Sequence, residues 1–268
     1  MSQETLHVTR DRGVVRVILD NPPVNVLSLP MMSELMSLMD SLREDDEAKV
    51  VLFESADPEY FLAHVDFHLV DEENLDIGGI DSPNIFQALG EALRSAPQLT
   101  IVKLAGLARG GGAEFVTAAD LSFAAIGRAG LGQIEAVSGI VPGGGGTQYL
   151  LNRVGRHRAL EIVLSADLFD AQTAELYGWV NRAVPADEFD AFVERVTRNI
   201  ADLPEGTIAA AKRAMPADDL SSGLRIEHDA WASQFVRPAA EGLIRAGLGA
   251  GVQTREGERH LEELLRSL

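Results

Sequence analysis

The stretch LTIVKLAGLARGGGAEFVTAAD, residues 99–120, decides the fold of this chain. It begins with an apolar run typical of a buried strand and ends with small and apolar residues typical of a helix. One glycine is enough for a turn. Three in succession, at positions 110–112, indicate that another group approaches the backbone closely there, because a side chain would block it. A strand that leads into a helix in this way predicts a crossover unit of an α/β protein.

Similar units precede this stretch. Residues 14–19 are a predicted strand, paired as a hairpin with the residues before Arg12 and Gly13, and residues 49–55 are another predicted strand. Apolar residues at three- and four-residue spacing predict helices from Pro30 onward and over 84–97. Strands that alternate with helices favour mostly parallel pairing and right-handed crossovers.

The second half of the chain is helical in pattern. After Thr147 almost every segment predicts helix, including one capped by Asp170 and ended by Gly178. The polar, glycine-containing residues 71–83 predict a mobile loop. We therefore expect one α/β core over residues 1–203, followed by a C-terminal helical region over residues 204–268.

Composition excludes several functional classes. The 268 residues carry a formal net charge of −18, which makes nucleic acid or an anionic membrane surface an improbable partner. The absence of cysteine excludes disulfides, thiolate metal ligands and a cysteine nucleophile. The start MSQETLHVTR lacks an apolar signal segment, so we expect a cytoplasmic protein with no membrane association.

The spacing of glycines and histidines argues against a nucleotide-binding site and against a metal site. The glycines around Gly143 and Gly110 do not fit the offsets of a dinucleotide-binding fingerprint, and the sequence before Thr147 lacks the lysine of a phosphate-binding loop. His64 and His68 flank an aspartate at metal-ligand spacing, but no third ligand stands nearby in the sequence. We expect neither a bound metal nor a separate cofactor.

Two glutamates remain as candidates for chemistry. Glu114 falls in the first turn of the helix that follows the three glycines, and Glu135 precedes the four glycines at 143–146. Either one alone is explained by a surface position or by the favourable helix dipole, which is worth up to about 1 kcal/mol. Two carboxylates beside glycine runs on neighbouring crossover units together favour an active site.

The order of these motifs resembles the crotonase (enoyl-CoA hydratase/isomerase) superfamily. The resemblance rests on GGGAEF, AAD, LGQIE, GIVPGGGGTQYLLNRVG and GWVNRAVP, which follow one another at nearly the family's spacing. It covers roughly residues 14–185, and the block at 131–155 is its most specific part. The resemblance implies a spiral of repeated ββα units that assembles as trimers or dimers of trimers through its C-terminal helices.

The resemblance also assigns roles to residues. Family members bind acyl-CoA thioesters and hold the thioester oxygen with two backbone N–H groups, which by position are those of Gly111 and Val65. An N–H at a helix N-terminus has no partner within the helix and favours a developing negative charge. CoA is part of the substrate, not a separate cofactor. The implied CoA-contacting and loop residues are Val24, Val26, Ala63, His64, Asp66 and Gly110.

Three functions remain open for this fold. Two carboxylates match a hydratase, in which the residue at Glu114 helps to activate water and the residue at Glu135 exchanges the C2 proton of a 2-enoyl-CoA. Isomerases of the family often need one carboxylate, so a double-bond isomerase or another thioester-enolate reaction is the alternative. A non-catalytic acyl-CoA binder is a third possibility, although it has no use for two desolvated carboxylates.

Three residues depart from the family pattern. His64 replaces a glycine, which predicts backbone strain at this position. We expect a dispensable ring that points away from the oxyanion hole, and the alternative is a working ring that forms a hydrogen bond to a carboxylate or to the CoA ester. Lys103 and Arg109 replace residues that are commonly apolar. They are expected either to pair with carboxylates or to point to solvent.

Overall fold

The computed structural model describes residues 5–72 and 83–268. Most of the predicted loop 71–83 lies outside the described residues. Within them, the strands are β1 (Leu6–Asp11), β2 (Val14–Leu19), β3 (Val50–Ser55), β4 (Tyr60–Leu62), β5 (Leu99–Leu104), β6 (Leu107–Arg109), β7 (Leu121–Ala125), β8 (Gly130–Gly132), β9 (Phe169–Asp170) and β10 (Arg182–Val184). The α-helices are α1 (Leu29–Leu42), α2 (Ile85–Arg94), α3 (Gly111–Ala118), α4 (Gly146–Val154), α5 (Arg156–Ser165), α6 (Ala171–Tyr177), α7 (Phe189–Ala201), α8 (Thr207–Ala214), α9 (Ser221–Phe235), α10 (Pro238–Ala250), α11 (Arg255–Glu258) and α12 (Leu261–Arg266). Two 3₁₀ helices span Phe67–Asp71 and Glu135–Ser138.

The larger sheet has the strand order β1-β2-β3-β5-β7-β10. Its first two strands form the predicted antiparallel hairpin, and the remaining neighbours pair in parallel. The central strand β3 is an apolar run that is buried for most of its length, as expected of a parallel strand covered on both faces. The predicted parallel α/β core is therefore confirmed.

The smaller sheet, with the order β4-β6-β8-β9, was not predicted from the sequence. Its strands have two or three residues each, too short for an alternating or apolar pattern to be recognised. The segment at 56–70, predicted as a loop leading into a helix, contains β4 and a 3₁₀ helix instead. Likewise β9 and β10 interrupt the half of the chain that was predicted to be almost all helix.

The two sheets together make a spiral. Successive turns each contribute one strand to the larger sheet and the next strand to the smaller one, and then a helix: β3, β4 and α2, then β5, β6 and α3, then β7, β8 and α4. The expected ββα architecture is confirmed. Because β6 ends at Arg109 and α3 starts at Gly111, this turn of the spiral brings the N-terminus of α3 to the edge of the smaller sheet.

The helices are held by spaced apolar residues. In α1, the buried side chains Met31, Leu35, Met39 and Leu42 recur at helical spacing, and Ser28 caps the N-terminus. Helices α8 to α12 confirm the helical C-terminal region. Helix α9 packs against α4, and α10 packs against the first 3₁₀ helix.

None of the helices in the described ranges combines the length and apolar composition needed to cross a membrane.

Candidate active site

A cleft between the core and helices α9 and α10 brings most of the predicted site residues together. Its lining includes the loop residues His64, Val65 and Asp66, the backbone of the glycine turn at Gly110 and Gly111, and both predicted carboxylates, Glu114 and Glu135. Its remaining wall is largely apolar. Side chains of this wall are Phe67, Leu69, Val70, Phe86, Ile134, Ile140, Trp231, Phe235 and Ile244.

The two residues that carry the predicted oxyanion donors lie side by side in the lining of the cleft. Gly111 is the first residue of α3, and a Cβ added to it would overlap Cγ2 of Val65. Only glycine fits this contact, which answers why the turn is rich in glycine. Within residues 5–72 and 83–268, neither the Gly111 nor the Val65 N–H has a backbone acceptor.

Glu114 is anchored by the four-glycine loop. Its Oε1 accepts hydrogen bonds from the N–H groups of Gly144, at 2.8 Å, and Gly146, at 2.9 Å. Its side chain is buried, and this burial, reinforced by the negative charges of Glu135 and Glu227, raises the pKa of Glu114 well above its ordinary value. The two N–H donors oppose the rise in pKa because they favour the ionised form.

Glu135 opens the second 3₁₀ helix and points back toward the glycine turn. A Cβ on Gly110 would lie 2.8 Å from its Oε1, while one on Gly111 would lie 3.6 Å from Oε2 of Glu114. Burial raises the pKa of Glu135 to about 7. The side-chain amide of Gln133, oriented with its nitrogen toward the carboxylate, donates to Glu135 Oε2 at 2.9 Å.

The two carboxyl groups therefore flank the backbone that carries the Gly111 N–H. Burial raises both pKa values, and the charge of Glu135 contributes to the rise at Glu114. Such a pair titrates as a unit, and near neutral pH it carries protons that isolated glutamates would have lost. Two carboxyl groups of this kind in one cleft can give and accept protons.

His64 does not fit the expectation of strain. Among the described non-glycine residues, positive φ angles occur only at Arg12, Asn25, Ala166 and Gln253, so His64 has an ordinary backbone conformation. The strain prediction was wrong because the loop does not use the left-handed region that favours glycine. The ring is buried, its Nδ1 lies 2.7 Å from the Val65 carbonyl oxygen and its Nε2 lies 2.8 Å from Oε1 of Glu258. These contacts argue against a dispensable ring.

Arg109 and Lys103 both pair with carboxylates, but not with the predicted catalytic pair. Arg109 is buried and binds Glu262 through Nε at 2.6 Å and Glu258 through Nη1 at 3.5 Å. Lys103 binds Glu54 at 3.0 Å and Asp190 at 2.8 Å, on the larger sheet. Only Arg109 is connected to the cleft, through its neighbours Gly110 and Gly111.

Three predicted CoA-contacting residues have side chains outside the cleft. Val24, Val26 and Ala63 are buried in a small apolar cluster with Tyr60. Any contact of this segment with CoA would be made by its backbone or by the exposed Pro22 and Pro23. The remaining predicted residue, Asp66, lines the cleft and caps the first 3₁₀ helix by accepting a hydrogen bond from the His68 N–H.

The two histidines of the disfavoured metal motif are separated in the structure. The His64 ring is buried against Glu258, whereas the His68 side chain is 63% exposed and lies 3.7 Å from Asp71. In the described part of the chain, no group of three or more His, Asp or Glu side chains is placed to hold a metal ion.

Sequence reasoning missed Glu227 and Glu258. Glu227, buried on α9, accepts hydrogen bonds from the N–H groups of Gly145, at 2.5 Å, and Thr147, at 2.8 Å. Burial raises the pKa of Glu227, whereas the charge and hydrogen bond of His64 hold the pKa of Glu258 below its ordinary value despite burial. Neither glutamate lies in a recognisable motif, because the partners are far away in the sequence. Gly145 lies 82 positions before Glu227, and His64 lies 194 positions before Glu258.

Comparisons with known proteins agree with this geometry. The family model described as enoyl-CoA hydratase/isomerase matches residues 9–256. The chain is 30% identical over 242 residues to a protein of Mycobacterium tuberculosis named as a probable enoyl-CoA hydratase, covering 87% of this chain and 92% of the relative. It is also 30% identical over 229 residues to the mitochondrial methylglutaconyl-CoA hydratase of Mus musculus, covering 82% and 72% of the two chains.

Solved structures extend the match to the whole fold. A crystal structure from Streptomyces avermitilis, of a protein provisionally called an enoyl-CoA hydratase, superposes with a TM-score of 0.96 at 59% identity and covers 99% of this chain and 98% of that one. An enoyl-CoA hydratase from Mycobacterium avium superposes with a TM-score of 0.79 at 26% identity, over 90% and 97% of the two chains. On these grounds the chain belongs to the enoyl-CoA hydratase/isomerase family.

Proposed function

We propose that this enzyme reversibly hydrates a 2-enoyl-CoA to a 3-hydroxyacyl-CoA. The observation that carries the proposal is the placement of Glu135 beside Gly110 and of Glu114 beside Gly111, in one cleft. Two proton-carrying groups match the two proton transfers that hydration needs. The hydratase names of the relatives support the same choice.

In this proposal the N–H groups of Gly111 and Val65 bind the thioester oxygen. Glu114 accepts a proton from water while the water oxygen bonds to C3, and the electrons of the C2–C3 double bond move to form the enolate. Glu135 then gives its proton to C2, which restores the thioester. One N–H donor of this kind typically contributes about 3 kcal/mol to lowering the barrier. The reverse steps dehydrate the product.

The acyl group that fits this cleft is apolar. Beyond the two carboxylates, the wall is formed by side chains such as Phe86, Trp231, Phe235 and Ile244. Burying an apolar acyl chain against them is favourable by about 25 cal/mol per Å² of apolar surface removed from water. Among the described lining residues, the ionisable side chains are His64, Asp66 and the two glutamates. A charged acyl end bound against the apolar wall would have no charged partner there.

The test is a panel of 2-enoyl-CoA thioesters of increasing chain length, followed by loss of enoyl-thioester absorbance. We expect hydration by wild type, and a loss of at least a hundredfold in kcat for Glu135→Gln and for Glu114→Gln, because each removes a proton carrier while keeping the side-chain shape. Binding of the product-like acyl-CoA should stay within a few-fold. Glu256→Gln, an 88% exposed glutamate on α11, is the matched control.

The outcome for Glu114 separates the two leading reactions. If Glu114→Gln kept full activity while Glu135→Gln lost it, a single acting carboxylate would remain and a double-bond isomerase would replace the hydratase. Wild type that acted on no member of the panel would overturn the proposed function.

A further inference from the structure

One buried carboxylate contacts the residues next to both predicted oxyanion donors. Glu258 Oε1 lies 2.8 Å from Nε2 of His64, the residue directly before Val65. Its Oε2 lies 3.5 Å from Nη1 of Arg109, which stands two residues before Gly111. Glu258 is completely buried, and both of its partners are 1% exposed.

The charges of this cluster balance. The two ring nitrogens of His64 each face an oxygen, the Val65 carbonyl and the Glu258 carboxylate, so both are placed to donate, which is the pattern of an imidazolium. Two cations, His64 and Arg109, then face two carboxylates, Glu258 and Glu262. A buried charge network is costly to desolvate and is weak evidence for stability alone, so its role is better sought in geometry.

Further contacts tie the same loop to the same C-terminal segment. The Phe67 N–H donates to Oε1 of Gln253 at 2.5 Å, and the Gln253 N–H donates to Oε1 of Glu258 at 2.9 Å. On the other side, the Arg109 N–H donates to the Ala63 carbonyl at 3.2 Å, which joins β6 directly to the loop. The loop at 63–67 is therefore fixed from α11 and from β6 at once.

We propose that Glu258 is a positioning residue that holds the Val65 and Gly111 N–H groups at the spacing needed for one oxygen, acting through His64 and Arg109. The proposal rests on the proposed thioester-enolate function. It gives the histidine that replaces the family's glycine a purpose, because glycine has no side chain through which α11 could hold the loop.

The test uses two readouts on the full-length enzyme, kcat and KM on an active enoyl-CoA, and the ultraviolet absorbance of the enolate formed by bound acetoacetyl-CoA. Glu258→Gln keeps the side-chain shape and removes the charge. We expect kcat to fall tenfold to a hundredfold with KM within threefold, because small displacements of catalytic groups act mainly on the transition state. We expect the fraction of bound ligand in the enolate form to fall in parallel.

Three further variants sharpen the result. Glu256→Gln, the same chemical change on the same helix but exposed, should match wild type in both readouts. His64→Gln combined with Glu258→Gln should lose no more than the larger single effect, because both break one linkage. Should Glu258→Gln fail to fold, Glu262→Gln weakens only the Arg109 end and is expected to lower the enolate fraction threefold or more.

A folded Glu258→Gln enzyme with kcat and enolate fraction within twofold of wild type would overturn the positioning role and leave Glu258 as a folding anchor. Wild type that neither hydrates the panel nor forms the enolate would instead overturn the thioester-enolate function itself. The two failures are distinct, because the first is a ratio between variants and the second is a property of wild type.

Discussion

At the scale of single residues, Glu135 combines a role in the cleft with a thermodynamic cost. Burial raises its pKa from the ordinary value near 4.5 to about 7, so the folded protein binds a proton more tightly than the unfolded chain does. The stability associated with this proton is fully present below pH 4.5 and is lost as the pH rises through 7. Above pH 7, folding must bury a carboxylate that prefers water.

Replacing Glu135 with glutamine therefore has a pH-dependent effect that is independent of any activity. We expect Glu135→Gln to raise the free energy of unfolding at pH 8 by about 1–2 kcal/mol, below the limit of about 3 kcal/mol set by the shift, and to change it little at pH 5. Chemical denaturation at the two pH values measures this difference.

Glu256→Gln, whose side chain is exposed, should show no such pH dependence. An equal effect of Glu135→Gln at pH 5 and pH 8 would mean that the carboxyl of Glu135 has the same pKa in the folded and unfolded states.

Residues also mark the limit of what the sequence could predict. Glu114 and Glu135 were predicted from their place beside glycine runs, and Gly111 and Val65 from the family resemblance. The structure brings all four residues to one cleft. His64 was predicted to be strained because it replaces a glycine of the family pattern. Its contact with Glu258 was missed, since that partner lies 194 positions away and no local pattern points to it. Contacts of this range depend on tertiary packing that periodicity does not encode.

At the scale of secondary structure elements, the four-glycine loop before α4 divides its N–H groups between two carboxylates. Those of Gly144 and Gly146 bind Glu114, and those of Gly145 and Thr147 bind Glu227 on α9. A helix N-terminus leaves such donors without intrahelical partners, so two buried carboxylates satisfy them here. The loop thus fixes Glu114 toward the cleft from one side and joins α9 to the core on the other.

This arrangement predicts the effect of a single methyl group. Gly144→Ala would place a Cβ against Oε2 of Glu114 and 3.0 Å from the Cβ of Phe86, so we expect at least a tenfold loss of kcat and a destabilisation of about 1–3 kcal/mol. Steady-state kinetics and thermal unfolding measure the two effects.

Gly249→Ala on α10 is the matched control, because a Cβ there meets no atom within 4 Å. It should keep full activity and stabilise the helix by up to about 1 kcal/mol. Unchanged activity of Gly144→Ala would show that the position of Glu114 tolerates displacement.

Prediction of elements from the sequence succeeded where they were long. The hairpin, β3, β5 and helices α1, α2 and α6 have clear periodicity or caps, and each was found close to its predicted position. The strands of the smaller sheet were missed because two or three residues form no recognisable pattern. The smaller sheet includes β6, which leads directly into the glycine turn. Because its strands could not be recognised from residue patterns, the spiral was predicted from the family resemblance instead.

At the scale of the whole molecule, the surface carries apolar side chains that a monomer would leave in water. Leu164 and Leu176 are 65% and 73% exposed, and in the C-terminal helical region Ile226 and Val236 are 70% and 69% exposed. Exposed apolar groups of this kind often mark contacts between subunits. We propose that the chain forms trimers or hexamers, with the region after Leu203 contributing to the contacts.

Light scattering coupled to size exclusion tests this assembly. We expect a mass of three or six times the 28.8 kDa of one chain at micromolar concentration. Ile226→Asp should shift the population toward smaller species, because it places a charge in the proposed contact. A monodisperse wild-type monomer would contradict the proposal.

The contact between His64 and Glu258 has a consequence for the order of events in synthesis. The ribosome completes the loop and the glycine turn long before it makes the carboxylate 194 positions later. The loop at 63–67 therefore lacks this contact until the C-terminal segment has been made and has packed against it. If Glu258 positions the donors as proposed, we expect activity on refolding to return together with the contact between His64 and Glu258 and no earlier.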